Sequence, residues 1–456
     1  MSIHWMSILP LAAMFVIATV LPINMGVLAF VGAFLVGTLV VGMDAKAIIA
    51  GFPADLFLTL AGITYLFAIA QNNGTIDWLV RIAVRAVRGR IAAIPWIMFF
   101  IAAVLTSVGA VSPAAVAIIA PIALGFAAKH GINPLMMGLM VIHGAQAGGF
   151  SPISIYGGIT NKIVARAGLP LSELTTMLAS FGVNFVVALG LFVMLGGMKL
   201  MRRHADGPDS ELPPIPQVAR AQGGPQVFGG AEAESFGEGR RVASSRSSML
   251  GQVNTQTFQS TNVHQLITAL GLLSLAVLTL VYKLDIGFVS ISIGLALSLL
   301  QPRLQKSALG QVSWPEIMLI VGVSTYIGVM DKMGTISYVG NSVAQLTSPL
   351  MAALLLCFVG AVISAFASST AVLGSLIPLG VPFLQGDNSG MAIGFIAAMA
   401  VSSTIVDVSP FSTNGALVLA NAKGVDRERF FRTLLLYGGA VTVLAPVLVW
   451  LLFVVL

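Results

Sequence analysis

The chain is predicted to be an all-α integral membrane protein: two inverted-topology repeats, with about ten transmembrane helices, two re-entrant hairpins and two broken helices. Three observations predict this. The hydrophobic fraction is 57% and the charged fraction 9% over 456 residues, too little charge for a soluble chain of that length. Apolar runs of about 20 residues recur, each long enough to cross a hydrocarbon core of roughly 30 Å. The heptapeptide Ser151-Pro-Ile-Ser-Ile-Tyr-Gly157 returns 258 positions later as Ser409-Pro-Phe-Ser-Thr-Asn-Gly415.

Other marks of duplication keep nearly the same offset. Thr64-Tyr65 recurs as Thr325-Tyr326, and Gly74-Thr75-Ile76 as Gly334-Thr335-Ile336. Ser107, Ser112 and Pro121 recur as Ser364, Ser369 and Pro378. The chain divides into a first repeat (1–201), a linker (202–262) and a second repeat (263–456).

In the first repeat, spans are expected at 5–22, 25–43 and 53–71. The first lacks a basic leader and a small-residue cleavage site, so it reads as a retained span. From Asp77 to Arg90, basic residues at 81, 85 and 88 share one helix face, the pattern of an amphipathic surface helix. The apolar stretch 91–128 is interrupted by Thr106-Ser-Val-Gly-Ala-Val-Ser-Pro113. Each flank is short, so it is expected to be a re-entrant hairpin. Residues 133–166 are broken at Gly148-Gly-Phe-Ser-Pro-Ile-Ser154, where proline removes a donor and the glycines loosen the helix. Residues 172–200 form the last span of this repeat.

The linker is rich in Gly, Pro, Ser and Gln. It cannot bury enough apolar surface to offset its ordering entropy and is expected to be disordered. The second repeat places spans at 264–282, 285–301 and 315–331, and a weakly polar helix near 335–347. A hairpin at 349–384, a broken span at 390–422 and a final span at 428–455 follow.

Each repeat makes an odd number of crossings, so the second is expected to sit upside down relative to the first. Charge tests this separately. With Arg202 and Arg203 at the linker's edge counted and its other four arginines left out, 14 Lys and Arg fall on one face and 5 on the other. The positive-inside rule puts the first face, with the linker, in the cytoplasm and both termini outside. The hairpins then enter from opposite faces with their tips near the midplane.

A half-helix N-terminus inside the membrane presents N–H groups and a partial positive charge suited to carboxylates. Half-helix C-termini and unwound carbonyls suit a cation. The breaks carry mainly Ser, Thr and Asn, and no Lys or Arg falls at a predicted midplane position. Candidate substrate ligands are Ser107, Ser112, Ser151, Ser154, Ser368, Ser369, Thr370, Ser409, Ser412, Thr413 and Asn414. Ser and Thr also join membrane helices without any functional role; recurrence at matched breaks is what singles these out. A dianion held by neutral donors needs a co-bound cation. Asp407, Gly149, Gly157 and Gly415 are the candidates for cation coupling, with His143, Gln146 and Tyr156 as accessory residues. Asp407 reads either as a cation or proton carrier or as a helix cap. His143 reads first as a packing histidine.

Several segments carry a family resemblance: Leu21-Pro-Ile-Asn-Met-Gly26, Thr64-Tyr-Leu-Phe-Ala-Ile-Ala-Gln71, Asn73-Gly-Thr-Ile-Asp-Trp78 and Met140-Val-Ile-His-Gly-Ala-Gln-Ala-Gly-Gly-Phe-Ser-Pro-Ile-Ser-Ile-Tyr-Gly-Gly158. They resemble the malonate and dicarboxylate carriers of the MatC type, in the ion-transporter superfamily that includes divalent-anion sodium symporters. The resemblance is dense over about residues 5–200 and thinner beyond. It implies a homodimer, a scaffold domain and a transport domain that carries the site across the bilayer in an elevator motion. In the sodium symporters each hairpin tip carries Ser-Asn-Thr. Here the second tip reads Ser368-Ser-Thr370 and the first Ser107-Val-Gly-Ala-Val-Ser-Pro113. That departure leaves Na⁺ and H⁺ both open as coupling ion.

The expected function is import of malonate or a C4 diacid by cation symport across a bacterial inner membrane, with no cofactor and no metal beyond Na⁺. The alternative within the same superfamily is a cation/proton exchanger or an oxyanion efflux permease. An enzyme is not expected: histidines at 4, 130, 143, 204 and 264 are dispersed and no acidic cluster accompanies them. The net charge of +6 comes from residues scattered at helix ends, which is no nucleic-acid surface.

Overall fold

The computed structural model describes residues 3–201 and 262–456, except 22, 77, 80–81, 83–89, 337, 340–341, 343–347, 366–368, 385–389 and 423. The expected linker and most of both amphipathic segments therefore lie outside the described residues. All the regular elements described are helices.

The first half runs α1 (Trp5–Val20), α2 (Met25–Leu35), α3 (Ala45–Ile49) and α4 (Ala54–Asn72). It continues with α5 (Ala93–Ser107), α6 (Ser112–His130), α7 (Pro134–Ala147), α8 (Ile155–Arg166), α9 (Glu173–Met194) and α10 (Gly197–Leu200). The second half runs α11 (Asn262–Leu280), α12 (Ile286–Leu300), α13 (Pro302–Gly310) and α14 (Trp314–Lys332). It ends with α15 (Pro349–Ser364), α16 (Ser369–Leu384), α17 (Ala392–Ile405), α18 (Thr413–Asn421) and α19 (Arg427–Trp450). Apart from the short α3, α10 and α13, the two halves list the same elements in the same order.

Among the described residues, five helices are long and apolar enough to cross a membrane: α4, α6, α9, α11 and α19 with its continuation. Seven shorter apolar helices, of 10–17 residues, accompany them. In α11 and α19 only 17% and 22% of the apolar window is buried, against 67% in α4. The first two turn apolar side chains outward, as lipid contact requires. The chain is a multi-pass membrane protein.

Sequence reading gave no helix at 302–310. There Pro302 pre-sets the first turn, and Leu304 and Ala308 bury one face. The result is α13, bent 52° from α14.

The halves interlock. α4 packs on α12 of the other half, and α2 packs on α14. The ends are tied the same way. Asn73 donates its side-chain N–H to Thr268 of α11 at 2.6 Å. Thr335, just past α14, shares a hydrogen bond with Ser7 of α1 at 3.0 Å. Further along, α6 packs on α18 and α16 packs on α8. Helices attract one another weakly in lipid, so close backbone approach has to supply the contact. A Cβ added to Gly26 would lie 2.0 Å from the Met318 carbonyl oxygen, and one on Gly322 would lie 2.1 Å from that of Gly26.

Gly322→Val is expected to force α2 and α14 apart and destabilise the fold by about 3 kcal/mol. Gly182→Ala, with open space around it, is expected to leave stability unchanged. Thermal melts in detergent, followed by size-exclusion fluorescence, check the pair.

Candidate functional site

Two of the interruptions are built alike. In the first, the Ser151 carbonyl accepts from Ser154 Oγ at 2.6 Å, and Ser154 Oγ accepts from Gly157 N at 3.2 Å. In the second, the Ser409 carbonyl accepts from Ser412 Oγ at 2.7 Å, and Ser412 Oγ accepts from Gly415 N at 3.3 Å. Ser151 Oγ and Ser409 Oγ each accept from the backbone N–H two residues on. A Cβ on Gly157 or Gly415 would lie 2.0 or 1.9 Å from the carbonyl oxygen of Ser151 or Ser409. The recurring heptapeptide is thus a capped turn. Its second serine is the N-cap of the following half-helix, and its glycine lets the chain fold back.

The four capping serines satisfy backbone groups where the helix stops, which lipid demands. Gly149, a candidate for cation coupling, has its carbonyl occupied by Gly157 N at 3.2 Å and by Ser154 Oγ.

A cavity of about 130 Å³ lies where the breaks meet. The tip between α5 and α6 contributes Val111 and Pro113. The start of α16 contributes Ser369 and Thr370. Tyr156 comes from the first turn of α8, and Asp407 and Thr413 from the break before α18. The remaining wall is Asn24, which caps α2, and Pro315, Glu316 and Leu319 at the start of α14. Six helices therefore turn their N-termini to one small space: α2, α6, α8, α14, α16 and α18. Each carries about half a positive charge there. The N-cap residue of α6, Val111, has no side-chain acceptor, so the first amides of α6 are not capped by it. No Lys or Arg lines the cavity among the described residues.

Asn414 joins the pieces. Its side-chain N–H groups reach Ser112 Oγ at 2.8 Å and Asp407 Oδ2 at 2.8 Å. Its backbone N–H donates to Asp407 Oδ1 at 3.3 Å. Its Oδ1 is buried without a partner. Tyr156, at the position matched to Asn414, shares the cavity wall with Ser369 and Thr370 instead. Each broken helix thus reaches the hairpin of the other half, one by an amide and one by a phenol.

The other candidates sit further off. Ser107 turns its hydroxyl back to the Ala103 carbonyl at 2.6 Å. Ser368 lies outside the described residues. His143 is buried between Asn184 Oδ1 at 2.8 Å and the Tyr437 hydroxyl at 2.6 Å, tying α7 to α9 and α19. Gln146 is buried with its side-chain amide unpartnered, while its carbonyl accepts from Ser180 Oγ at 3.0 Å.

Sequence reasoning missed Asn24 and Glu316. Asn24 stood in the resembling Leu-Pro-Ile-Asn-Met-Gly stretch, and Glu316 is an acid in the first turn of an apolar helix, but neither is near a break in sequence. A larger open crevice of about 830 Å³, edged by Lys199, Asp426 and Arg429, lies at helix ends remote from all the breaks.

Ser412→Ala removes an N-cap and is expected to cost about 1 kcal/mol of stability. Asn414→Ala is expected to cost about 1–3 kcal/mol, because it strips two donors from a buried carboxyl group and a hydroxyl. Paired denaturation curves of the two variants check this order.

Residues 1–149 match the family described as "Dicarboxylate carrier protein MatC N-terminus". Residues 276–455 match the family described as "Citrate transporter". No curated protein sequence matches the chain. Among solved structures, the YdaH transporter of Alcanivorax borkumensis, reported to have an unusual topology, is similar in fold. It aligns with a TM-score of 0.56 at 13% identity, over 90% of this chain and 89% of that one. Both matched families belong to the ion transporter superfamily, and the two matches mark the chain as a secondary transporter rather than an enzyme.

Proposed function

We propose that the protein imports a small dicarboxylate, malonate or a C4 diacid, together with a coupling cation. The observation that carries this reading is the convergence of six helix N-termini on one cavity without a basic side chain. Such a site favours an anion through backbone dipoles and amide donors. Its volume of about 130 Å³ falls well below the roughly 300–1,000 Å³ of sites for drug-sized ligands. That supports the smaller acid named by the N-terminal family over the larger one named by the C-terminal family. Asp407 lines the same cavity, and we assign it the coupling step, with Na⁺ or H⁺ as the ion.

The repeat reading completes the proposal. Matched elements at offsets of 257 to 261, each half holding an odd number of crossings, support inverted topology. The 14-to-5 division of basic residues supports a cytoplasmic linker and external termini in a bacterial inner membrane. α1–α4 and α11–α14 pack mainly among themselves, as do α5–α9 and α15–α19. That division supports a fixed scaffold and a moving transport body in an elevator cycle. The homodimer rests on the family resemblance.

Proteoliposomes holding the purified protein are expected to accumulate labelled malonate under an inward Na⁺ or H⁺ gradient, imposed one at a time. Unlabelled succinate should compete, and citrate should compete at least tenfold more weakly. Uptake that ignores both gradients, or accumulates no small diacid, overturns the proposal. Asp407→Asn is expected to abolish accumulation while malonate exchange across the membrane persists.

A further inference from the structure

Asp55 and Glu316 occupy the same register in the two halves, 261 positions apart, the offset that also relates Thr64 to Thr325. Each lies in the first turn of its helix, α4 or α14. Their surroundings differ in one respect. Asp55 is neutralised: Arg166 pairs with its carboxylate, and Lys162 Nζ lies 3.9 Å from it. Lys162 Nζ also lies 3.8 Å from Asp285, the N-cap of α12. Both cations belong to α8.

The positions 258 further on, the offset that relates the two heptapeptides, are Ala420 and Gly424. α18 therefore carries no cation matched to Lys162. Asp285 itself corresponds to Asn24, a neutral amide. Glu316 has no ion pair among the described residues. It lines the cavity together with Asp407 and Tyr156.

We infer that Glu316 is an affinity-setting residue that weakens anion binding on the face where α14 begins. This rests on the carrier reading above. In that reading α14 belongs to the fixed scaffold and its start lies on the cytoplasmic side. The site meets Glu316 only when it opens to the cytoplasm. There an unpaired carboxylate stands against a bound diacid, and like charges at short range repel. In this structure the equivalent acid on the opposite face is paired with Lys162 and Arg166 of α8, whereas Glu316 has no such partner among the described residues. The consequence is a site that holds its cargo less tightly where it is delivered. The equilibrium between conformations offsets this difference, so the ion gradient still sets the direction.

The test uses full-length protein in vesicles sorted by orientation. Half-saturation by malonate is measured from each face for wild type, Glu316→Gln, Glu316→Ser and Glu316→Asp. Wild type is expected to bind on the order of tenfold more weakly from the cytoplasmic face. Both neutral variants should tighten that face and bring the two values within about twofold. Glu316→Asp should keep the difference. A ratio unchanged in either neutral variant that folds, or an equal weakening on both faces, overturns the inference. Failure of wild type to transport any small diacid sinks the carrier reading instead, before a variant is measured.

Discussion

An interrupted helix inside a bilayer leaves backbone groups that lipid cannot bond, and the molecule is organised around that demand. The capped turns at 151–157 and 409–415 meet part of it with serine hydroxyls. The rest is left open on purpose of geometry: the helix starts that are not wholly capped converge on one cavity. In the proposed function, the unspent N–H groups there and the dipoles behind them are what would hold an anion. Stability and binding thus draw on the same backbone groups. The first of each serine pair shapes the turn, and the second decides which amides remain for a ligand.

The bridge from Ser112 through Asn414 to Asp407 gives that site its connectivity. It links a hairpin tip of one half to the broken helix of the other. Tyr156, facing the same cavity as Ser369 and Thr370, stands at the reciprocal position with different chemistry. A duplicated architecture has therefore diverged into two unequal half-sites, one holding an acid and one a phenol. The same divergence extends to the starts of α4 and α14, where Asp55 is ion-paired and Glu316 has no ion pair among the described residues.

Much of this was legible in the sequence. Proline and glycine beside paired serines mark the interruptions, because such residues stop a helix wherever they occur. The spacing of Ser, Ser and Gly at three-residue intervals also encodes the caps, although recurrence alone drew attention to ligand chemistry first. What the sequence did not disclose is which distant segments share a wall. Asn24 donates to the Pro315 carbonyl at 2.8 Å across 291 positions, and no local pattern announces such a pairing. His143 reads from sequence first as a packing histidine, and it is buried as one; its two partners, Asn184 and Tyr437, come from helices whose packing only the fold reveals. α13 escaped notice because its polar residues outnumber the two that it buries.

The central claim is that a small diacid sits among these helix starts. A structure of the protein at saturating malonate tests it most directly. The account predicts density for the acid between Tyr156, Thr370 and Asp407, within reach of the first amides of α6 and α16. Density in the crevice beside Lys199 and Arg429, with the cavity between the breaks holding none, would contradict it.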